Sequence, residues 1–205
     1  MTSRVILISA AISEALREAR FDDGSPVDAA GLRAARTAAD AGAVPAGGRL
    51  WVSPTVRCRQ TAVALGLDGG IETPELAGLD VGRWRGATLA EVSAKEPEAV
   101  ARWLADPASA PHDGESVRAF CDRVTERLDA AAEFDDRTIA VVEPEVVRAL
   151  VVRALGAPES AFWRVDVPPL TVTELSGRAG RWNIRAGRPL TDRVDPGGPH
   201  LTEES

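Results

Sequence analysis

Residues 53–62 read Ser-Pro-Thr-Val-Arg-Cys-Arg-Gln-Thr-Ala and directly follow the short apolar run at 50–52. This order predicts a buried strand that turns straight into a helix, because serine accepts unpaired backbone donors at a helix start and proline suits the first turn. We expect Ser53 to cap the helix and Arg57 to lie on its first turn. Ligands gather at the carboxyl ends of strands in α/β sheets, so Arg57 is placed to hold an anion. The alternative is a surface arginine on an ordinary turn.

The composition is that of one soluble globular domain. The chain has 205 residues, of which 44% are hydrophobic and 27% charged, enough to bury a core in a single α/β domain. We expect that domain to cover residues 1–190. Residues 191–205 are rich in proline, glycine and acids, which predicts a disordered tail.

Charge and cysteine content exclude several function classes. The net charge is -7, and Lys95 is the only lysine among 24 basic residues, which argues against nucleic acid as a partner. Two cysteines and two histidines make neither a disulfide framework nor a metal site, so we expect a cytoplasmic protein with no metal or cofactor. The apolar run at 5–8 is too short for a signal peptide or a membrane span. Abundant arginine, alanine and glycine indicate a GC-rich, bacterial genome.

Caps and periodicity place the other elements. Ser13 and Asp28 are expected helix caps, and Thr88 with Glu91 forms the pattern of a capping box. The predicted strands are at 4–8, 50–53, 138–142, 170–175 and 181–185, the last two joined by a turn containing Gly177 and Gly180. The predicted helices run over about 28–41, 54–65, 89–95, 97–105, 116–128 and 144–156.

Four motifs follow one another in an order that resembles the histidine phosphatase superfamily, the phosphoglycerate mutase-like proteins. They are Ser-Pro-x-x-Arg at 53–57, Gly-x-Trp-x-Gly at 82–86, Gly-Glu-Ser at 114–116 and the apolar strand at 138–142. The resemblance covers about residues 4–185. It implies a three-layer α/β/α sandwich with a mostly parallel central sheet. It also implies a site at the carboxyl ends of the strands that carry Ser9, Ser53 and Glu143.

The same resemblance shows which functional residues are replaced. Where the family has Arg-His-Gly after its first strand, with histidine as the nucleophile, this chain has Ser9-Ala10-Ala11. Gly78 stands in place of the family's proton-donating glutamate. Glu143 stands in place of the second histidine, and the two glycines after it are Pro144 and Glu145.

These replacements remove most of the chemistry of phosphoryl transfer. Ala10 cannot accept a phosphoryl group, and the exchanges to Ser9 and Glu143 make the pocket more negative. Phosphate should therefore bind weakly, and we expect Glu143 to pair with Arg57 instead. His112 precedes the Gly-Glu-Ser motif in a loop. A lone loop histidine is more often solvated than functional, although this loop borders the pocket in relatives.

Three functions remain open. The first is a pseudophosphatase that binds a small molecule or a partner protein, with a homodimer as one possible form. The second is an enzyme with changed chemistry, using Glu143 or Glu145 as a general base and Arg57 as an anchor for a carboxylate substrate. The third is residual phosphomonoesterase or mutase activity. The candidate pocket residues are Ser9, Ala10, Ser53, Arg57, Gly78, His112, Glu143 and Glu145.

Overall fold

A six-stranded sheet forms the centre of the protein. The computed structural model describes residues 3–132, 137–178 and 181–190, and the predicted tail at 191–205 lies outside them. The strands are β1 Ser3–Ser9, β2 Arg49–Val52, β3 Ile71–Glu72, β4 Arg137–Val142, β5 Thr171–Arg178 and β6 Arg181–Pro189.

Seven α-helices pack around this sheet in the described part of the chain. They are α1 Glu14–Arg17, α2 Ala29–Asp40, α3 Val56–Ala64, α4 Leu89–Lys95, α5 Pro97–Ala105, α6 Val117–Ala132 and α7 Pro144–Ala154. Short 3₁₀ helices lie at Pro74–Leu76, Gly82–Trp84 and Glu159–Arg164. None of the described helices is long and apolar enough to cross a membrane.

The strand order is β3-β2-β4-β1-β5-β6. The first four strands are parallel to one another, whereas β5 and β6 form an antiparallel hairpin at one side. The hairpin was predicted, but β5 continues to Arg178 and β6 to Pro189. The expectation that Gly177 lies in the turn is wrong, because it pairs with Trp182 inside the hairpin, and Gly180 lies outside the described residues. The α/β class with a mostly parallel sheet is confirmed.

Alternate residues of the strands face two separate apolar layers. Val5 and Leu7 of β1 belong to a core cluster that includes residues of α5, α6 and α7. Ile6 and Ile8 point to the opposite face and belong to a cluster with Ala35 of α2 and residues of α3. Side chains alternate across a strand, so the part of a strand that is buried on both sides must be apolar, as residues 5–8 of β1 are. This arrangement is the predicted three-layer sandwich.

The observed helix N-caps match the predicted ones at all but one position. Ser13, Asp28 and the Thr88–Glu91 capping box are formed as expected. The expectation that Ser53 caps α3 is wrong, because Thr55 accepts the N–H of Cys58 at 3.3 Å. Ser53 still belongs to the sheet edge, since its N–H donates to the carbonyl of Val141 at 2.9 Å. The helix therefore begins two residues later than its sequence pattern indicates.

Candidate functional site

The carboxyl ends of three adjacent strands meet at one edge of the sheet. Ser9 at the end of β1 is in register with Val142 of β4, and the next N–H, of Ala10, donates to the Val142 carbonyl at 2.9 Å. Ser53 follows β2 beside the same strand, and Glu143 follows β4. The topology thus brings together the three positions at which the sequence placed the site.

Arg57 and Glu143 form a buried ion pair at this edge. Arg57 is the second residue of α3, and its Nη2 contacts Oε2 of Glu143 while its Nε donates to Oε1 at 3.4 Å. Thr55 Oγ1 also donates to Oε1, at 2.7 Å. The residues are 6% and 1% exposed, so the predicted pairing is present and neither charge is free for a ligand.

The electrostatics of Arg57 reflect this pairing. Burial opposes the charged guanidinium, but the Glu143 carboxylate outweighs it and raises the pKa of Arg57 above its ordinary value. Arg57 Nη1 also donates to Ser13 Oγ at 3.3 Å. The guanidinium is held from two sides and stays charged.

The position of the family's nucleophile is closed. Ala10 and Ala11 are both 0% exposed. Ser9 Oγ donates to the carbonyl of Pro168 at 2.7 Å and accepts the N–H of Thr171 at 2.9 Å, so its hydroxyl serves the fold. Ser53 is likewise fully buried. None of these side chains lines the pocket beside the ion pair.

That pocket has a volume of about 160 Å³ and is mainly apolar. Its charged wall residues are Arg20, Asp22, Arg57, Glu145 and Arg148, and its aromatic ones are Phe21, Trp103, Phe162 and Trp163. Of the sequence-predicted site residues, Arg57 and Glu145 are the two that line it. Sequence reasoning missed Asp22, Arg148 and the aromatic wall. The spacing of three residues between Glu145 and Arg148 on one helix could have indicated that they share a face.

Two carboxyl groups in this pocket have raised pKa values. Burial, followed by the charge of Glu143, raises the pKa of Glu145 to about 7. The same two causes raise the pKa of Asp22. At neutral pH Glu145 can therefore either donate or accept a proton.

Gly78 lies against the side chains of Glu143 and Glu145. A Cβ built on Gly78 would be 3.5 Å from Glu145 Oε1 and 3.5 Å from Glu143 Cγ. The position is therefore close to the site, as the sequence indicated. A glutamate here would add a third carboxyl beside two others, so its absence fits the acids that surround it.

The expectation that His112 is a solvated loop residue is wrong. The residue is 0% exposed and its ring packs edge-on against Trp84 and Trp103, with centroids 5.0 and 5.9 Å away. Its Nδ1 accepts the N–H of Gly114 at 3.1 Å, and burial lowers its pKa. His112 does not line the pocket. It is a core residue, because its ring packs against Trp84 and Trp103.

The comparisons with known proteins agree with this geometry. The family model described as the histidine phosphatase superfamily (branch 1) matches residues 11–188. The chain belongs to the histidine phosphatase superfamily. Within its described residues no cluster of three or more His, Cys, Asp or Glu side chains could hold a metal ion.

Curated relatives resemble part of the chain. The Bifunctional protein Rv2228c of Mycobacterium tuberculosis is 32% identical over 130 residues, which are 60% of this chain and 35% of that protein. The chain thus spans about a third of the length of the curated relatives that it matches.

Solved structures share the fold over nearly the whole chain. The alpha-ribazole phosphatase of Shigella flexneri has a TM-score of 0.80 at 20% identity, covering 94% of this chain and 99% of that one. The mycobacterial glucosyl-3-phosphoglycerate phosphatase Rv2419c has a TM-score of 0.76 at 23% identity, covering 92% and 100%. At these identities the likeness establishes the fold.

Proposed function

We propose that the chain is a pseudophosphatase, a histidine phosphatase fold that binds a small molecule without transferring a phosphoryl group. The observation that carries the proposal is the buried ion pair between Arg57 and Glu143. The resemblance places a phosphate-binding arginine and a histidine at these positions. Here the arginine's charge is cancelled inside the protein.

A phosphate dianion would meet a cost at this ion pair. To reach Arg57 it would have to displace the carboxylate of Glu143, and separating a buried pair costs about 3–5 kcal/mol. If Glu143 stayed, each close like-charge contact would cost up to about 4 kcal/mol at a moderate effective dielectric constant. Either cost weakens phosphate binding by orders of magnitude.

No histidine lines the pocket in the described part of the chain, and its nearby thiol and hydroxyl groups are not activated. Ala10 has no reactive group, and Cys58, next to Arg57, is fully buried with its pKa raised by that burial. Ser13 lines the pocket, but its hydroxyl accepts from Arg57 Nη1 and from the N–H of Leu16. Neither Cys58 nor Ser13 is activated for attack on phosphorus.

The test is turnover of p-nitrophenyl phosphate by the purified chain between about pH 5 and pH 8. Arg57→Ala, purified identically, is the control for a contaminating phosphatase. We expect no rate above that control. A rate that Arg57→Ala abolishes would overturn the proposal and support the residual phosphomonoesterase reading.

A second candidate is an enzyme with changed chemistry that uses Glu145 as a general base. The observation in its favour is that Glu145 lines the pocket with a pKa of about 7, the range in which a general base is most effective. Glu143 does not suit that role, because it is buried in the ion pair. If the chain is such an enzyme, Glu145→Gln should abolish turnover of its substrate while the protein stays folded. If the chain is a binding module, parent and variant should both be folded and neither should turn over a substrate.

A further inference from the structure

The pocket contains a cation that is not held in an ion pair in the described part of the chain, although its charge opposes the rise in the pKa of the neighbouring Glu145. Arg148, on α7, lines the pocket, and its Nε donates to the carbonyl of Val165 at 2.9 Å. Within the described residues its guanidinium makes no ion pair. Arg57 is paired with Glu143, and Arg20 contacts Glu18 at 2.5 Å and Glu91 at 3.5 Å. The anion-anchoring role that the sequence suggested for Arg57 therefore passes to Arg148.

The groups around Arg148 favour a single negative charge on the ligand. Asp22 and Glu145 line the same pocket and would repel a phosphate dianion whenever either is ionised. A monoanion meets less repulsion, and a protonated Glu145 can donate a hydrogen bond to it. A guanidinium presents parallel donors that match the two oxygens of a planar carboxylate. A carboxylate fits these groups better than a phosphate does.

The rest of the wall suits a small apolar body. Trp163 contacts Trp103 and Phe162, with ring centroids 4.3 and 4.8 Å apart, and the three rings line the pocket together with Phe21. The volume of about 160 Å³ is below the roughly 300–1,000 Å³ of pockets for drug-sized ligands. It admits about one aromatic ring with a short acidic side chain.

We propose that the pocket binds a small monocarboxylate with an aromatic or apolar body, its carboxylate on Arg148 and its body against Trp103 and Trp163. This proposal rests on the proposed function, since it requires a pocket that is not used for phosphoryl transfer. Beyond the proposed function, it specifies the chemical class of the ligand. It also names Arg148 as the residue that selects that class.

The experiment compares four probes by isothermal titration calorimetry, each a benzyl group that carries a different head group. They are phenylacetate, its neutral amide phenylacetamide, benzylphosphonate and the cation benzylamine. We expect phenylacetate to bind roughly tenfold or more tightly than each of the others, because a charge-assisted pair is worth at least that factor. Equal affinity for the acid and the amide, preference for the amine or the phosphonate, or no binding of phenylacetate at millimolar concentration would overturn the proposal.

Variants on α7 locate the selectivity. Arg148→Gln should lose the preference for phenylacetate over its amide while leaving the amide's affinity within about threefold. Arg153→Gln is the matched control, because Arg153 is an exposed arginine of the same helix that does not line this pocket. If Arg148→Gln unfolds, Arg148→Lys is the substitute. Lysine keeps the positive charge but lacks the paired N–H donors of the guanidinium, so it should weaken the preference for phenylacetate over its amide. Arg153→Gln should keep the preference. A full preference retained in Arg148→Gln, or in Arg148→Lys if the glutamine variant unfolds, would contradict the role of Arg148.

The phosphatase assay separates this proposal from the proposed function. Turnover of p-nitrophenyl phosphate that depends on Arg57 would refute the pseudophosphatase whatever the titrations show. Absence of turnover together with equal affinity for the acid and its amide would refute only the carboxylate ligand.

Discussion

Arg57 and Glu143, 86 positions apart in the sequence, form a buried ion pair where β2 and β4 end side by side. The pair lies at the point where the superfamily resemblance places the phosphate, and it leaves neither charge available. It makes the anion-binding arginine of the fold a structural residue. The pocket beside it must obtain its selectivity from other side chains.

Removing one charge of this pair should destabilise the fold strongly. Glu143→Gln leaves the Arg57 guanidinium buried without its ion-pair partner, so we expect a loss of about 3–5 kcal/mol in the free energy of unfolding. Urea denaturation measures it. The control is Glu72→Gln, which breaks the exposed pair between Glu72 and Arg59 and should cost at most about 1 kcal/mol.

Replacing both members by apolar residues tests the same interaction differently. The double variant Arg57→Met with Glu143→Leu should recover most of the stability lost in Glu143→Gln, because no unpaired charge stays buried. A single variant that loses under about 1 kcal/mol, or a double variant as unstable as the single one, would contradict a tight buried pair.

Restoring the nucleophile should not restore the reaction. Ala10 is 0% exposed, so Ala10→His must displace packed neighbours and should cost about 1–3 kcal/mol without producing phosphatase activity. Thermal unfolding and the p-nitrophenyl phosphate assay measure the two outcomes. Ala186→His, at an exposed position of β6, is the control and should leave stability nearly unchanged. Activity in Ala10→His would show that the pocket still supports catalysis.

Glu145 should make stability fall as the pH rises. Its pKa in the folded protein, about 7, lies above the ordinary value of 4.5, so the folded state binds the proton more tightly. The stability that protonation contributes is complete below about pH 4.5 and is lost as the pH rises to about 7. Glu145→Gln should therefore gain stability relative to the parent at neutral pH, by an amount of order 1 to 3 kcal/mol.

The measurement is urea denaturation of the parent and Glu145→Gln at about pH 5 and about pH 8. The difference between the two proteins should grow from the lower to the higher pH. Glu98→Gln, on the exposed surface of α5, is the control and should show no such change. A difference that is equal at both pH values would contradict the raised pKa.

His112 should have the opposite pH dependence. Burial lowers its pKa below the ordinary 6.5, so the unfolded chain binds the proton more tightly. Stability from this residue is present above about pH 6.5 and is lost as the pH falls through the lower folded value. His112→Phe keeps a ring between Trp84 and Trp103 and should reduce the loss of stability between about pH 6.5 and pH 5, as followed by thermal unfolding. An unchanged loss in that interval would show that His112 does not titrate with folding.

Local patterns predicted most of the helices and strands, although not the two-residue strand β3, and the family resemblance implied how they are arranged. The β-branched run of β1 can satisfy both faces of a buried strand, and the capping box at Thr88 is complete within four residues. The pairing of Arg57 with Glu143 was also predictable, since Glu143 directly follows β4, Arg57 lies on the first helical turn after β2, and the family resemblance places both strand ends at one site. Ser53 was misjudged as a cap because two nearby residues, Ser53 and Thr55, can both accept a hydrogen bond at a helix start.

The composition of the pocket depends on the packing of distant segments. Phe21, Asp22 and Trp163 come from connections far apart along the chain, and no periodicity or spacing links them to Glu145. The burial of His112 likewise depends on the two tryptophans that enclose it. Short-range geometry therefore defines the helices, strands and strand ends. Which side chains share the resulting cavity, and which of their charges stay unpaired, follows from long-range packing.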